Sequence, residues 1–134
     1  MSEAPKKPVS TPTDLSQPYW DGVAVGQLRL QSCSACGKVR HYPRLLCDAC
    51  YDDGVNWITA SGHGRIHSWT VAHHPYHLAF VTEVPYTLVL VDLNEGPRAI
   101  GRWSGATLTI GQTVQGRFVP REGGADLSFA PCAD

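Results

Sequence analysis

Four of the chain's five cysteines stand in two C-x-x-C pairs with ten residues between them. A hairpin of that length can bring four thiolates into a tetrahedron around one ion. Gly37 directly follows the first pair and suits the backbone bend around a metal, whereas the second pair lacks a following glycine. The pattern predicts a metal ribbon whose ligands are Cys33, Cys36, Cys47 and Cys50.

The redox state of these cysteines and the identity of the ion have alternatives. A disulfide framework would suit a small secreted domain, but the opening MSEAPKKPVSTPT lacks the apolar stretch of a signal peptide. We therefore expect reduced thiols in a cytoplasmic protein. Zinc fits a closed four-sulfur site, and iron can occupy the same geometry. His41 could replace one sulfur, but four cysteines already complete the shell, and Cys132 is expected to be an ordinary free thiol.

The composition limits the size and the partners of the fold. A chain of 134 residues with 43% hydrophobic residues suits one domain with a small appendage pinned by the metal. The formal net charge of -1 gives no overall attraction to nucleic acid or to an anionic membrane. The charged fraction of 17% is low, so the surface relies less on charge than usual.

The first 32 residues divide into an arm and a helix. Residues 1–15 are rich in Pro, Ser and Thr, and their low apolar content predicts a flexible arm. Residues 16–32 predict a short helix with Ser16 as its N-cap, followed by a strand that leads into the first cysteine pair. One short helix cannot bury both Tyr19 and Trp20, so we expect these aromatics to pack in part on a partner protein.

The rest of the chain consists of short β segments. Residues 33–56 form the predicted ribbon, and residues 57–134 contain five strand-like stretches separated by turns such as NEGPR and REGG. Five short strands close most economically into a barrel, because an open sheet would leave a long unpaired edge. The predicted fold is mainly β, with a short N-terminal helix, a rubredoxin-like zinc ribbon and a five-stranded OB-fold barrel. A two-layer sandwich is the alternative.

A series of spaced motifs gives the chain a family resemblance. In order they are Y-W-D-G, C-x-x-C-G, Y-P-R, C-x-x-C, S-G-x-G, P-Y, L-x-E-G-P and the final F-A-P. Over residues 16–131 the chain resembles the zinc-ribbon and OB-fold family of acyl-CoA-associated proteins called domain of unknown function thirty-five. Asp48 and Tyr42 stand where that family often has proline, which bears on the outer shape of the ribbon.

The resemblance implies a non-catalytic accessory subunit with a structural zinc ion. Such a subunit would bind and stabilise a thiolase-like enzyme of thiolase or aldolase type, and help to position an acyl-CoA in lipid or steroid metabolism. A hot-dog enoyl-CoA hydratase is the alternative partner. In either case catalysis would lie on the partner chain, the assembly would be a hetero-oligomer, and no membrane would be involved.

Candidate ligand and docking residues can be chosen by their chemistry. The phosphates of CoA need cations, and a local cluster of four lies in and after the ribbon: Lys38, Arg40, Arg44 and Arg65. A solvated basic rim is the competing interpretation. The loop AHHPYHLAF combines histidines with aromatic residues, and loops often carry binding residues. Its candidates for a ligand groove are His73, His74 and Phe80, and its candidates for partner docking are Tyr76 and His77.

Two other classes of function are less favoured by the sequence. His73 or His74 could act as a general base, but no Ser or Cys nucleophile has a recognisable motif and no acidic partner is placed to orient either ring. OB barrels can bind single-stranded nucleic acid in a basic groove. Residues 65–129 contain five arginines and five acidic residues, which gives no net attraction to phosphate.

Overall fold

The computed structural model describes residues 6–132. These residues contain one α-helix, one short 3-10 helix and eight strands. In chain order they are α1 (Gln17–Ala24), β1 (Arg29–Cys33), β2 (Val39–Arg40), β3 (Val55–Thr59), β4 (His63–Ala72), the 3-10 helix (Leu78–Phe80), β5 (Tyr86–Leu93), β6 (Arg98–Trp103), β7 (Thr113–Arg121) and β8 (Gly124–Pro131).

Helix α1 begins after Ser16, but the Ser16 side chain does not cap it. The Ser16 hydroxyl oxygen instead accepts a hydrogen bond from the backbone N–H of Thr13 at 2.9 Å. Ser16 is thus the N-cap residue, as expected, but its side chain makes no capping bond, because a local turn before the helix takes up the hydroxyl. At the other end the chain turns through Gly26, whose φ of +75° is the left-handed conformation that glycine tolerates best.

The ribbon is built on a three-stranded antiparallel sheet with the order β2-β1-β3. Strand β1 is central, and its Leu30 is fully buried. Gln31 on the same strand is also buried, and its side-chain oxygen accepts a hydrogen bond from the backbone N–H of Arg44 at 2.8 Å. This bond ties the segment between the two cysteine pairs to the sheet.

The remaining strands form a closed five-stranded barrel with the order β4-β5-β6-β8-β7. The barrel closes through a short parallel pairing of β6 with β8, while the other neighbours are antiparallel. The prediction of a mainly β fold with one short helix, a ribbon and a five-stranded barrel is confirmed, and the two-layer sandwich is excluded.

The barrel is filled by the fully buried ring of Phe129 on β8. Gly101 and Gly116 leave room for this ring on both neighbouring strands. A Cβ atom would lie 2.6 Å from the ring at Gly101 and 2.7 Å from it at Gly116. Both distances are far below a carbon contact of about 3.5 Å. The two glycines are therefore required by the size of the Phe129 side chain.

Helix, ribbon and barrel meet at a stack of aromatic rings. The His41 ring lies 5.4 Å from the Tyr19 ring and 3.9 Å from the Tyr42 ring, measured between centroids. The Tyr42 hydroxyl accepts a hydrogen bond from the backbone N–H of Ile100 on β6 at 3.1 Å. The stack therefore links one ring of the helix and two of the ribbon to the barrel wall.

Residues 6–15 have no regular helix or strand but contact the barrel. The Lys7 ammonium lies 3.0 Å from a carboxylate oxygen of Glu83, and Arg121 donates a hydrogen bond to the carbonyl of Pro8 at 2.9 Å. The flexibility of residues 1–15 stays a prediction, as do the domain boundaries after residues 15, 32 and 56. Residues 1–5 lie outside the described part of the chain.

Candidate metal centre and neighbouring surfaces

The four cysteines of the two C-x-x-C pairs come together at one end of the ribbon, with all four sulfur atoms within 4.8 Å of one another. Cys33 Sγ lies 3.5 Å from Cys50 Sγ, and Cys36 Sγ lies 3.6 Å from Cys47 Sγ. A tetrahedron with Zn–S bonds of about 2.3 Å requires sulfur separations of about 3.8 Å. The cluster therefore has the size and the donor set of a tetrathiolate zinc site.

Each cysteine pair is followed by a residue with positive φ. Gly37 has a φ of +80°, and its N–H donates to the carbonyl of Cys33 at 2.9 Å. In the second pair Tyr51 takes the same role, with a φ of +64° and an N–H bond to the carbonyl of Cys47 at 2.9 Å. The two knuckles thus have matching turns, although only the first has the glycine that a sequence pattern can recognise.

Backbone N–H groups stabilise the thiolate form of the two buried cysteines. The N–H of Cys36 donates to Cys33 Sγ at 3.5 Å, and the N–H of Ala49 donates to Cys47 Sγ at 3.4 Å. These bonds lower the pKa of the Cys33 thiol and lower the pKa of the Cys47 thiol to about 6. Both ligands are therefore prepared to bind a cation as anions.

Cys50 shows why a cation belongs at this site. The backbone N–H of Asp52 lowers the pKa of the Cys50 thiol, but the three neighbouring sulfurs and burial outweigh it and raise the pKa to about 12. Four adjacent thiols cannot all lose their protons unless a positive charge lies among them. A divalent ion would supply that charge. Zinc is the ion that a closed tetrathiolate ribbon holds, and it would fix the hairpin without an open coordination position for catalysis.

The four predicted cations do not form one cluster. Arg40 is only 3% exposed, and it donates to the carbonyl of Arg44 at 3.3 Å. Its pairing opposite Gln31 turns it into the ribbon, where it still lines the groove beside the barrel, so phosphate binding by Arg40 stays a prediction. Arg65 donates to the carbonyl of Gly111 at 3.2 Å and belongs to the barrel.

The exposed cations of the ribbon face a groove of about 520 Å³ between ribbon and barrel. Lys38 forms an ion pair with Asp48 at 2.8 Å across the ribbon. The opposite wall also carries both signs of charge, since Asp92 and Arg98 form an ion pair at 2.7 Å and Glu95 lies beside them. The groove therefore has Lys38 and Arg44 at its rim but no strong excess of positive charge.

The loop after β4 exposes most of its predicted functional residues. Tyr76 is 90% exposed, and its ring contacts only His74, at 4.6 Å between centroids, among the ring contacts of residues 6–132. His73 is exposed as well. His77 has a structural role, because its Nδ1 accepts the N–H of Ala79 at 3.0 Å and caps the 3-10 helix.

Phe80, at the end of this loop, is half-buried beside Tyr86 of β5, with 6.0 Å between the ring centroids. Lys7 lies 5.5 Å from the centre of the Phe80 ring, and Arg102 lies 4.2 Å from the centre of the Tyr86 ring. Arg102 also forms a close ion pair with Glu83. Phe80 therefore lines a groove together with Tyr86 and Arg102 and does not stand alone on a loop.

The two helix aromatics have different environments. Tyr19 is 9% exposed, and burial together with the nearby Tyr42 raises its pKa to about 12. The expectation that Tyr19 docks on a partner is wrong, because the ribbon supplies the second surface that buries it. Trp20 is half-buried and lines two apolar grooves of about 390 and 310 Å³. Docking through Trp20 stays a prediction.

An exposed apolar segment between the two cysteine pairs was not predicted from the sequence. Leu45 is 68% exposed and Leu46 is 46% exposed, and Tyr51, directly after the second pair, is 75% exposed. The signal was present as the run YPRLL, which lies in the tip of a metal-pinned hairpin too small to bury it.

In the described residues no helix is long and apolar enough to cross a membrane.

Models of two protein domains match consecutive parts of the chain. Residues 20–56 match the ChsH2 rubredoxin-like zinc ribbon domain. Residues 57–119 match the ChsH2 C-terminal OB-fold domain. The first match covers the tetrathiolate cluster, and the second covers β4, β5, β6 and most of β7. Together with the sulfur geometry, the zinc ribbon match identifies the four-cysteine cluster as a structural zinc site.

Three curated relatives are similar to parts of this chain. A probable enoyl-CoA hydratase alpha subunit of Thermomonospora curvata is 42% identical over 61% of this chain and 25% of its own length. The 3-oxo-4,17-pregnadiene-20-carboxyl-CoA hydratase alpha subunit of Mycobacterium tuberculosis is 34% identical over 75% of this chain and 32% of its own. A DUF35 domain-containing scaffold protein of Methanothermobacter thermautotrophicus is 37% identical over 49% of this chain and 50% of its own. The chain thus spans between a quarter and a half of these relatives.

A solved structure matches nearly the whole fold. A chain of the Ltp2-ChsH2(DUF35) aldolase superposes with a TM-score of 0.82 at 29% sequence identity, covering 92% of this chain and 99% of that chain. The match therefore includes the helix and the ribbon as well as the barrel. With both of its domains matched in the same order, the chain belongs to the DUF35 family of zinc-ribbon and OB-fold proteins that includes ChsH2.

Proposed function

We propose that this chain is a non-catalytic accessory subunit that binds and stabilises a thiolase-like acyl-CoA enzyme of thiolase or aldolase type. The observation that carries the proposal is the superposition on a chain of the Ltp2-ChsH2(DUF35) aldolase over 92% of this chain. The relative named as a scaffold protein supports the same role. The proposed setting is an assembly of unlike subunits in the cytoplasm, where reduced thiols can hold zinc.

The chemistry of the described residues supports a role without catalysis. Four sulfurs fill the coordination shell of the ion and leave no position for a substrate. Cys132 Sγ lies 3.6 Å from His63 Nδ1. In residues 6–132, however, no carboxylate forms an ion pair or a side-chain hydrogen bond with the His63 ring that would orient it as a base. The bond-breaking groups would therefore lie on the enzyme subunit.

We further propose that the chain helps to position the acyl-CoA of its partner in lipid or steroid metabolism. Its exposed cations would meet phosphates, and the residues around the loop after β4 would line the acyl side. The proposed ligand contacts are Lys38, Arg40, Arg44, Arg65, His73, His74 and Phe80. The proposed docking contacts are Trp20, Tyr76 and His77. The mixed charges of the ribbon–barrel groove support weak rather than strong binding of phosphate by this chain alone.

A hydratase partner is the second candidate. Two relatives are named as hydratase alpha subunits, and each is matched over a third or less of its length. Such subunits contain further segments beside the part that resembles this chain. A hot-dog enoyl-CoA hydratase is therefore the alternative enzyme, in the same accessory relationship.

The test is co-expression with a thiolase-like protein encoded next to this chain and, in parallel, with a hydratase subunit. Size-exclusion chromatography and a turnover assay would follow for each pair. A stable complex with an activity that neither chain shows alone is the expected result for the first pair. A complex with the hydratase alone would replace the proposed partner. Turnover by the isolated chain that is lost in a His73→Ala, His74→Ala variant would contradict the non-catalytic role.

A further inference from the structure

Strand β4 has an open edge along its second half. It pairs with β5 as far as Ala72, whereas it pairs with β7 only through His63–Arg65. Ile66 still exchanges backbone hydrogen bonds with Gly111 and Gln112, at 2.8 and 3.0 Å. Beyond Ile66, residues 67–72 have no strand partner on that side within the described chain. Their outward backbone groups are therefore available to another strand.

A β-bulge explains where the pairing with β7 stops. The register between β4 and β5 shifts between Ile66 and Ser68, which leaves His67 as the extra residue. The His67 ring reaches across to Asp92 of β5, with Nδ1 3.1 Å from the carboxylate. A bulge of this kind bends a strand and ends its pairing on one side. The second half of β4 therefore extends away from the barrel wall, and in this half β4 is paired only with β5.

The open edge is apolar and lacks the usual protection. Residues 68–72 read SWTVA, without a charge or a proline. Trp69 is 41% exposed and Val71 is 44% exposed. Soluble proteins normally protect such an edge with lysine, proline or a covering segment. The loop that follows adds Tyr76 and Leu78, which are 90% and 73% exposed. Residues 67–72 together with Tyr76 and Leu78 are called the edge surface below.

We propose that the edge surface binds the enzyme subunit by accepting an extended, uncharged segment of that subunit as an additional strand beside β4. Main-chain hydrogen bonds would supply affinity, and Trp69 and Val71 would supply side-chain contacts. The proposal rests on the accessory-subunit function and specifies the surface that performs it.

The size of the edge surface favours an enzyme over a second copy of this chain. A specific interface buries about 800 Å² on each partner. Two copies paired through β4 alone would cover only residues 67–72 of each chain. Six residues a side are far fewer than the roughly 20–30 of such an interface, and the exposed Tyr76 and Leu78 lie beyond the paired segment. A larger enzyme surface can cover the open strand and the loop together, with Tyr76 as an aromatic anchor.

The test compares two valine variants in complex formation with the neighbouring thiolase-like subunit. Val71→Lys places a charge on the open edge, which blocks strand addition. Val119→Lys is the matched control, since Val119 is a strand valine of similar exposure, 40%, that lies on β7 and outside the edge surface. Val71→Lys should weaken the complex at least tenfold, and Val119→Lys should leave it unchanged. Both variants should keep the zinc content and melting temperature of the unsubstituted chain.

Hydrogen exchange separates strand addition from docking by side chains alone. In the complex, the outward amides of residues 67–72, which β5 does not already bind, should exchange at least tenfold more slowly. A complex that tolerates Val71→Lys and leaves these amides unprotected overturns the edge surface and leaves the accessory function standing. If the unsubstituted chain forms no complex with either the thiolase-like subunit or the hydratase subunit, both the edge surface and the accessory function are overturned. A dimer of this chain alone that disappears in Val71→Lys assigns the edge to a second copy and also overturns the proposal.

Discussion

The fit of Phe129 between two glycines allows a quantitative test of the barrel core. In Gly101→Ala, the new methyl group would lie 2.6 Å from one ring carbon of Phe129, 2.8 Å from another and 3.0 Å from the carbonyl oxygen of Leu127. Carbon atoms prefer about 3.5–4.0 Å, so the ring must move by about 1 Å in a closed barrel. Overpacking of this kind costs about 1–3 kcal/mol of unfolding free energy.

Shrinking the ring should reverse part of that cost. Phe129→Leu alone removes ring atoms from a fully buried site and should cost about 1–3 kcal/mol, which is less than truncation to alanine. In the double variant, the Gly101→Ala methyl group enters the space that the ring has left. The double variant should therefore be more stable than the sum of the two single changes predicts, by about 1 kcal/mol or more.

Urea unfolding followed by tryptophan fluorescence, with zinc in the buffer, measures all three free energies. Gly124→Ala is the control, because a Cβ there meets no atom within 4 Å. It should change stability by less than about 0.5 kcal/mol and show no coupling to Phe129→Leu. Strict additivity of Gly101→Ala and Phe129→Leu would refute the steric explanation for the glycines.

Three further predictions concern the ribbon. Burial lowers the pKa of His41 from 6.5 to about 4. On acidification the unfolded chain therefore takes up a proton at a higher pH than the folded chain does. The free energy of unfolding should fall by at most about 3 kcal/mol between pH 6.5 and about pH 4. Urea unfolding across that range should show a smaller fall in His41→Asn. Cys47→Ser should release the ion, whereas Cys132→Ser should retain it, as measured by metal analysis of the purified chains; retention in Cys47→Ser would contradict the tetrathiolate site. Tyr51→Gly should be neutral or stabilising by about 1 kcal/mol, because it relieves a left-handed residue, whereas Gly37→Ala should cost about 1 kcal/mol or more. Equal melting temperatures for these two variants would count against the matching turns.

Features set by short-range patterns were predictable from the sequence. The cysteine spacing alone defines the four ligands, since each knuckle is a local turn. The barrel strands were recognisable because alternation and turn residues are also local. The basic run of the ribbon did not reveal, however, that Arg40 is buried. Its burial depends on pairing opposite Gln31, a feature that the sequence pattern does not specify.

Features that depend on distant segments were not predictable. Tyr19 is buried because His41 of the ribbon packs on it, and no helix pattern contains that information. The positive φ of Tyr51 has no residue-type signal, since tyrosine rarely adopts it. The open edge of β4 depends on the bulge at His67, which leaves the sequence alternation nearly unchanged.

The aromatic stack around His41 couples metal binding by the ribbon to the packing of the helix. The His41 ring belongs to the segment between the two cysteine pairs, and the four thiolates fix this segment when they bind the ion. The hydroxyl of the neighbouring Tyr42 accepts a hydrogen bond from the backbone of Ile100 in the barrel. An ion lost from the ribbon therefore loosens the cover over Tyr19 as well as its own loop. Binding of the ion and correct seating of the helix are thermodynamically linked. A cell short of zinc would then hold less of this chain with its helix packed on the ribbon.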